Sequence, residues 1–231
     1  MSLTISLKQG DDSVDFDVPT DWSDMTLEYY AGISNVIHSH QEKAQLKENS
    51  ILERYKDDPT IDEIMGNVKI MDNVRLNSDL FCYMSGLKKE HMYLVDADKI
   101  AEVVGLVGIL TKEYEPKGHR SFDFEGETYY YPSENLRKNT YGDFIEATQL
   151  DMSIESMKNG RFDVLPQQMA ILCRRAGEKY DEDLVEEKSE KFKKLTMDKV
   201  FEFSFFLTKR NKQLLNLFNM YSEKNLKGLG Q

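Results

Sequence analysis

Two histidines and two aspartates have the spacing that could support a metal site. His38 and His40 could each offer an imidazole, but residues two apart on a helix point roughly 200° away from each other. Asp96 and Asp98 resemble a fragment of a calcium loop, yet the glycine and closing glutamate of that loop are missing. Surface histidines and acids at a helix start explain both pairs more simply, so we predict no metal site.

Cys173 is the residue whose surroundings could create a nucleophile. Arg174 and Arg175 follow it and could lower the pKa of its thiol, whereas the apolar residues of 165–172 favour a packed helix position. The sequence contains no GxSxG elbow, no GxxxxGK[ST] loop and no GxGxxG fingerprint. We therefore predict no catalytic residues and no cofactor, and we keep an enzyme built on scattered carboxylates or Cys173 as the weakest alternative.

Two aromatic clusters are candidate binding surfaces. Tyr129, Tyr130 and Tyr131 follow one another on a predicted strand, where alternate side chains face opposite sides, so at least one is expected in the core. The segment 200–207 is apolar on more than one side of a predicted helix and is therefore expected to be surrounded by protein. The predicted subunit-interface residues are Tyr129, Tyr130, Tyr131, Phe201, Phe205 and Phe206.

Composition and charge restrict the partners. The 231 residues carry a formal charge of −11, so the average surface repels phosphate backbones and anionic lipids. No specific nucleic-acid binding and no membrane contact are expected, although an acidic face could line a channel through which DNA passes. The two cysteines are 91 positions apart and the first seven residues lack a signal-peptide pattern, which predicts a cytoplasmic site of synthesis.

The elements that must position these residues are mainly helices. Alternating apolar residues on both sides of Gly10 and Gly126 predict β-hairpins near 3–18 and 120–131, and we expect the two hairpins to pair or lie side by side. The fold class is therefore α+β, mainly helical with two β-hairpins. The predicted organisation is 1–40 as hairpin plus helix, 41–118 as a helical middle segment, 119–225 as hairpin plus helices and 226–231 as a tail, in one compact unit or two that share a core.

Cap residues set the predicted helix boundaries. Ser23 or Thr26 starts a helix that runs to about His40, and 41–58 is either an exposed connector or a solvated helix. A capping box starts a helix at Thr60. A new helix begins after Ser78 and ends at Gly86. Further helices are predicted over 96–104, 152–158, 165–175, 181–194 and from Thr196 to about 225.

Several patches of the chain resemble a family of tailed-bacteriophage proteins. The patches are TYGDFIEA at 140–147, LP…AILCRR within 165–175, EKYD at 178–181, a Phe-Phe-Leu helix, and PTDWSDMT at 19–26 after a short β-element. The segment 41–120 has no counterpart in this resemblance. Proteins of this family are encoded among virion structural and tail-assembly genes, notably in crAss-like and related phages.

The resemblance implies a non-enzymatic structural or assembly role in the virion neck or tail. We expect a ring component of the neck or tail barrel that binds copies of itself and neighbouring neck and tail proteins around the DNA channel. The alternative is a chaperone-like tail or baseplate assembly factor that is absent from the mature particle. The resemblance supplies no catalytic, cofactor or metal residues.

Overall fold

The chain divides into two compact units. The structure, a computed structural model, describes residues 2–9, 12–92, 95–132, 162 and 164–208. The first unit takes 1–113 and 155–163, and the second takes 114–154 and 164–231. The division at 113 lies near the predicted boundary at 118. The predicted helix 152–158, the patch 140–147, the continuation to 225 and the tail 226–231 lie outside the described residues.

The first unit begins with the predicted hairpin. Strands β1 (Leu3–Gln9) and β2 (Asp12–Val18) pair antiparallel. Alternation places one set of apolar side chains on the face that packs against helices, where they join a buried cluster of Ile5, Leu7, Val18, Phe81, Met84 and Val103. The hairpin is thereby fixed to the helical part of its own unit.

Helix α1 is longer than the sequence predicted. It spans Leu27–Arg54, and Thr26 caps its N-terminus by accepting a hydrogen bond from the backbone N–H of Tyr29 at 3.2 Å. The predicted end near His40 is wrong because the polar stretch that follows continues as a solvated helix. The predicted boundary at 40 consequently falls inside α1.

Helix α2 spans Ile61–Ser85 without a break. The predicted capping box at Thr60 is wrong, because the Thr60 hydroxyl donates to Asp58 at 2.7 Å and makes no side-chain cap. The predicted restart at Ser78 is also wrong, since its hydroxyl donates to the Val74 carbonyl one turn earlier within the helix. Gly86 ends the helix in the left-handed conformation at φ +69°, as predicted.

Short helices complete the described part of the first unit. They are α3 (Lys89–Met92), α4 (Ala97–Gly105) and a 3₁₀ helix over Leu106–Thr111. The predicted helix start at Asp96 is confirmed. Val103 of α4 is fully buried in the cluster under the first hairpin.

The second unit combines a small sheet with three described helices. Strands β3 (Ser121–Phe124), β4 (Glu127–Tyr130) and β5 (Arg174–Arg175) form an antiparallel sheet in that order. The two hairpins belong to separate sheets, so the first of the two expected arrangements, pairing between the hairpins, is wrong. The helices are α5 (Leu165–Leu172), α6 (Val185–Phe192) and α7, described over 197–208.

Helix α5 ends before the predicted limit at 175. The backbone becomes extended at Cys173, and Arg174 and Arg175 pair with Tyr130 and Tyr129 as strand β5. Pro166 lies in the first turn of α5, where its missing N–H leaves no hydrogen bond unmade. The observed fold is mainly helical α+β with two hairpins, which confirms the predicted class.

A buried carboxylate joins α7 to the segment that leads into β3. Glu202 is 2% exposed and accepts hydrogen bonds from the Tyr114 hydroxyl at 3.1 Å, the Lys117 N–H at 2.5 Å and the Gly118 N–H at 3.0 Å. Burial and the bond to Glu202 raise the pKa of Tyr114. Glu202 thus anchors the start of the second unit on its last described helix.

Candidate protein-interaction surface

Helices α1 and α2 form an arm with an incomplete core. No side chain between Ile33 and Asp72 is fully buried, and the structure describes that whole interval. Two antiparallel helices cover only the seam between them, so their outer faces meet solvent. The arm exposes large apolar side chains, namely Leu46, Leu52, Tyr55, Ile70, Met71 and Val74.

A groove of about 1,040 Å³ lies between 35–47 of α1 and 71–79 of α2 and ends at α3. We call it the α1–α2 groove. Val36 and Ala44 of α1, Met71 and Val74 of α2, and Met92 of α3 supply its apolar lining. Val74 is 53% exposed and Met71 is 51% exposed, so both are available to a partner. The apolar lining and the open shape are typical of a surface that binds protein.

The groove is cationic although the chain is acidic. It contains the bases Lys43, Lys47, Arg75 and Lys89 and the acids Asp72 and Asp79. The largely buried Asp72 carboxylate pairs with Lys47 at 2.9 Å and lies 3.6 Å from Arg75, while Asp79 pairs with Lys89. Two acids against four bases leave a local charge of about +2.

The predicted histidine pair lies on α1. His38 contacts Glu42 at 3.2 Å, while His40 lines the groove with its Nε2 atom buried. The two histidines therefore have different surroundings and do not converge. Over the residues that the structure describes, no group of three or more His, Cys, Asp or Glu side chains is placed to hold a metal ion.

The three predicted interface tyrosines differ in exposure. Tyr129 and Tyr131 are 9% and 6% exposed, because their strand turns this face toward the core of the second unit. Their rings pack on Phe122 at 5.6 and 5.0 Å, and the Tyr131 hydroxyl donates to the Lys199 carbonyl. Both side chains are therefore largely covered within the second unit. Tyr130, on the opposite face, is 40% exposed and stays a candidate.

The three predicted phenylalanines differ in the same way. Phe201 stacks on Tyr114 at 5.3 Å and Phe206 stacks on Tyr131 at 5.4 Å, so both are partly covered within the second unit. Phe205 is 39% exposed and contacts Phe206 edge-on. Of this cluster, Phe205 presents the most accessible ring to a subunit contact.

Cys173 lies in the interior and lacks the surroundings of a nucleophile. Its side chain is fully buried, and burial raises the pKa of the thiol. The Lys188 ammonium donates instead to the Cys173 carbonyl at 2.6 Å and to Glu178 at 2.9 Å. Burial of Glu178 opposes ionisation, but the hydrogen bonds from Arg175 N–H and Lys188 outweigh it and lower the Glu178 pKa. These contacts fix β5 to α6.

Charge is unevenly distributed along the chain. Residues 1–113 contain 11 bases and 21 acids, a net charge of −10, while the remaining residues contain 19 bases and 20 acids. Within the first unit, 1–40 has one base against seven acids, whereas 41–75 has six bases against eight acids. The part of the arm from 41 to 75 therefore has a net charge of only −2, whereas the N-terminal segment 1–40 has a net charge of −6.

The sequence prediction missed the arm as a binding surface. Five apolar residues share one face of α2, where Ile61, Ile64, Met65 and Val68 are half-buried and Met71 is half-exposed. One signal in the sequence could have indicated this surface. The polar helical stretch 41–58 offers few apolar side chains to cover the apolar residues that follow in α2.

Comparisons with known proteins add no identification. Neither family models, nor curated proteins, nor solved structures gave a significant match to the chain. In the part of the chain that the structure describes, no helix is long and apolar enough to cross a membrane. The resemblance to tailed-phage proteins stays a prediction.

Proposed function

We propose that the chain is a non-enzymatic structural subunit of a tailed-phage virion. In this proposal it forms a ring in the neck or tail barrel and binds copies of itself and neighbouring rings around the DNA channel. The observation that carries the proposal is the arm, because exposed Met71 and Val74 flank a groove that the first unit leaves open. Long helices with an uncovered apolar side are suited to contacts between subunits.

The acidic N-terminal segment is consistent with a channel lining. Asp15, Asp17, Asp21 and Glu28 are exposed, and the only base in 1–40 is Lys8. A lumen formed by such a surface would limit the adhesion of passing DNA, because like charges repel over about 8–10 Å at moderate salt. A ring whose inner wall is basic would contradict this proposal.

The test is the native mass of the purified chain over a broad concentration series, measured by sedimentation velocity. A discrete ring, or association that increases with concentration, supports the structural-subunit proposal. A monomer at every concentration contradicts it and favours the assembly factor, which would bind a tail component while remaining monomeric. Electron microscopy of any assembled species then shows whether it encloses a channel.

A further inference from the structure

We infer that the α1–α2 groove binds an acidic amphipathic helix of a partner protein. This inference rests on the part of the proposed function in which the chain binds neighbouring proteins, and it names the surface and the chemistry of that partner. In this contact the apolar face of the partner helix lies on the apolar lining of the groove, and its carboxylates pair with the bases. The contact does not depend on self-association of the chain.

The dimensions of the groove suit a protein helix. Its lining spans 35–47 on α1, which is roughly 18 Å long at 1.5 Å per residue, and 71–79 on α2, which is roughly 12 Å long. A helix of about three turns has this length. The volume of about 1,040 Å³ is just above the range of about 300–1,000 Å³ that is usual for small-molecule pockets. An amphipathic helix in a groove between helices is a common mode of peptide recognition.

The apolar lining supplies the hydrophobic contact that such a helix needs. Val36 and Ala44 of α1, Met71 and Val74 of α2, and Met92 of α3 line the groove. A partner that covers half-exposed Met71 and Val74 removes apolar surface from water, which is the dominant favourable term in most protein association. The matching surface on the partner is a helix face with apolar residues three or four positions apart.

The bases of the groove determine the charge of the partner. Lys43 forms no ion pair among the residues that the structure describes. Lys47 and Arg75 share the single carboxylate of Asp72, at 2.9 and 3.6 Å, and their side chains are 37% and 61% exposed. The remaining base and acid of the groove pair with each other. One positive charge at Lys43 and one at Lys47 and Arg75 are therefore left for carboxylates of a partner.

The positions of these bases also set the spacing of the partner's carboxylates. Lys43 and Lys47 are one turn apart on α1, so they lie on the same side of the helix about 5–6 Å apart. A partner helix alongside α1 can meet both with two acids that are three or four residues apart. Glu42 and Glu48, which are next to these lysines in the sequence, contact other basic side chains and do not line the groove.

The charge around the groove favours a short acidic helix over a nucleic acid. Residues 1–113 have a net charge of −10, so a phosphate chain that extends beyond the groove meets a repelling surface. A short helix stays over the groove and brings only a few negative charges. Its apolar face also uses the lining that a phosphate backbone would leave uncovered.

The first test measures binding of a designed peptide by fluorescence anisotropy. The probe is a helical peptide of about 18 residues with leucines along one face and two glutamates one turn apart on each side of that face. Glutamates on both sides allow the peptide to pair in either direction. The control peptide has lysines in place of the glutamates. The chain should bind the acidic peptide at least about tenfold more tightly than the lysine peptide, because only the acidic peptide complements the groove.

Apolar variants of the chain locate the contact. Val74→Glu should weaken binding of the acidic peptide by about tenfold or more, because it places a carboxylate in the apolar contact. Val74 is 53% exposed, so the variant should keep its helical circular dichroism. Leu52→Glu is the matched control, since Leu52 is 47% exposed on α1 and does not line the groove. It should bind the peptide like the unsubstituted chain.

A charge reversal tests the pairing itself. Lys43→Glu removes a base that has no ion pair among the described residues, so the fold should tolerate it. It should weaken binding of the acidic peptide and strengthen binding of the lysine peptide, each by about threefold or more. Lys56→Glu makes the same change of charge at an exposed position outside the groove. Both affinities should then stay within about twofold of those of the unsubstituted chain.

The outcomes separate this inference from the ring proposal. Equal binding of the two peptides, or no binding of the acidic peptide, overturns the inference, while a chain that self-associates still supports the ring. Equal affinities of Val74→Glu and Leu52→Glu also overturn it, because the peptide then binds elsewhere. Displacement of the acidic peptide by an equal concentration of duplex DNA assigns the groove to phosphate and overturns the acidic helix. The expected pattern in a chain that stays monomeric supports the inference and contradicts the ring.

Discussion

Glu202 gives the sharpest prediction about the second unit. Its buried carboxylate accepts three hydrogen bonds, from the Tyr114 hydroxyl and the N–H groups of Lys117 and Gly118. Glu202→Gln keeps the shape but leaves one acceptor oxygen, and the new NH₂ group faces a donor. Hydrogen bonds to a charged group contribute about 1.5–3 kcal/mol each, and loss of an acceptor leaves its donor unsatisfied. Because residues 115–118 are exposed, water replaces part of this loss.

We therefore expect Glu202→Gln to lower the free energy of unfolding by about 2–3 kcal/mol, measured by urea denaturation followed by circular dichroism. Tyr114→Phe should lower it by about 1 kcal/mol, because both N–H groups keep their acceptor. The matched control is Glu190→Gln, whose carboxylate is 64% exposed and pairs with Lys193 at 2.5 Å. The control should change stability by less than about 0.5 kcal/mol.

The refuting result is a free energy of unfolding for Glu202→Gln that lies within about 0.5 kcal/mol of the value for Glu190→Gln, at an unchanged denaturant slope. Water would then satisfy the three donors as well as the carboxylate does. A double substitution of Tyr114 and Glu202 adds an independent check, because two residues that share a hydrogen bond should show non-additive losses.

Four further variants have defined outcomes. Gly86→Ala should destabilise the chain by about 1 kcal/mol, because an alanine at φ +69° is strained. Gly66→Ala should stabilise the chain by about 0.5–1 kcal/mol, because a Cβ there meets open space and alanine favours the helix. Urea denaturation measures both changes. Burial and the nearby Tyr83 raise the pKa of Tyr29 to about 12 from 10.0, so the contribution of the protonated Tyr29 to folding stability is complete below pH 10 and is lost as the pH rises toward 12. Tyr29→Phe should reduce this loss of stability at alkaline pH. An unfolding free energy with the same dependence on alkaline pH as that of the unsubstituted chain would contradict the prediction. Asp15→Lys with Asp17→Lys should increase retention of duplex DNA by the assembled chain in a filter-binding assay, and equal retention would contradict the proposed channel lining.

Local patterns made the hairpins and some helix ends predictable. Alternation on both sides of a turn defines a hairpin within about 15 residues, so β1–β2 and β3–β4 followed directly from the sequence. Gly86 was equally local, since a glycine after an apolar turn favours the left-handed C-cap. These features depend on neighbours in the chain and need no knowledge of the tertiary fold.

The sequence prediction was wrong where an element is stabilised by something other than its own apolar periodicity. The second half of α1 has no fully buried residue and hence no apolar periodicity; it is helical through residue propensity and pairs such as Gln45 with Asn49. Strand β5 exists because Arg174 and Arg175 pair with a strand 45 residues earlier in the sequence, which local periodicity cannot show. Taken alone, the sequence of 41–54 is polar without apolar periodicity, and the sequence of 165–175 favours a continuous helix.

The arm shows most directly what apolar periodicity can and cannot establish. Met71 continues the apolar row that starts at Ile61, and that row correctly indicates a helix face. The pattern does not distinguish a face covered by the same chain from one covered by another copy, because burial has the same physical basis in both cases. At Met71 and Val74, which line the cationic groove, the apolar pattern indicates a covered helix face, but the side chains are half-exposed in the isolated chain. A partner that covered this row would remove the disagreement without requiring any change in the helices that carry it.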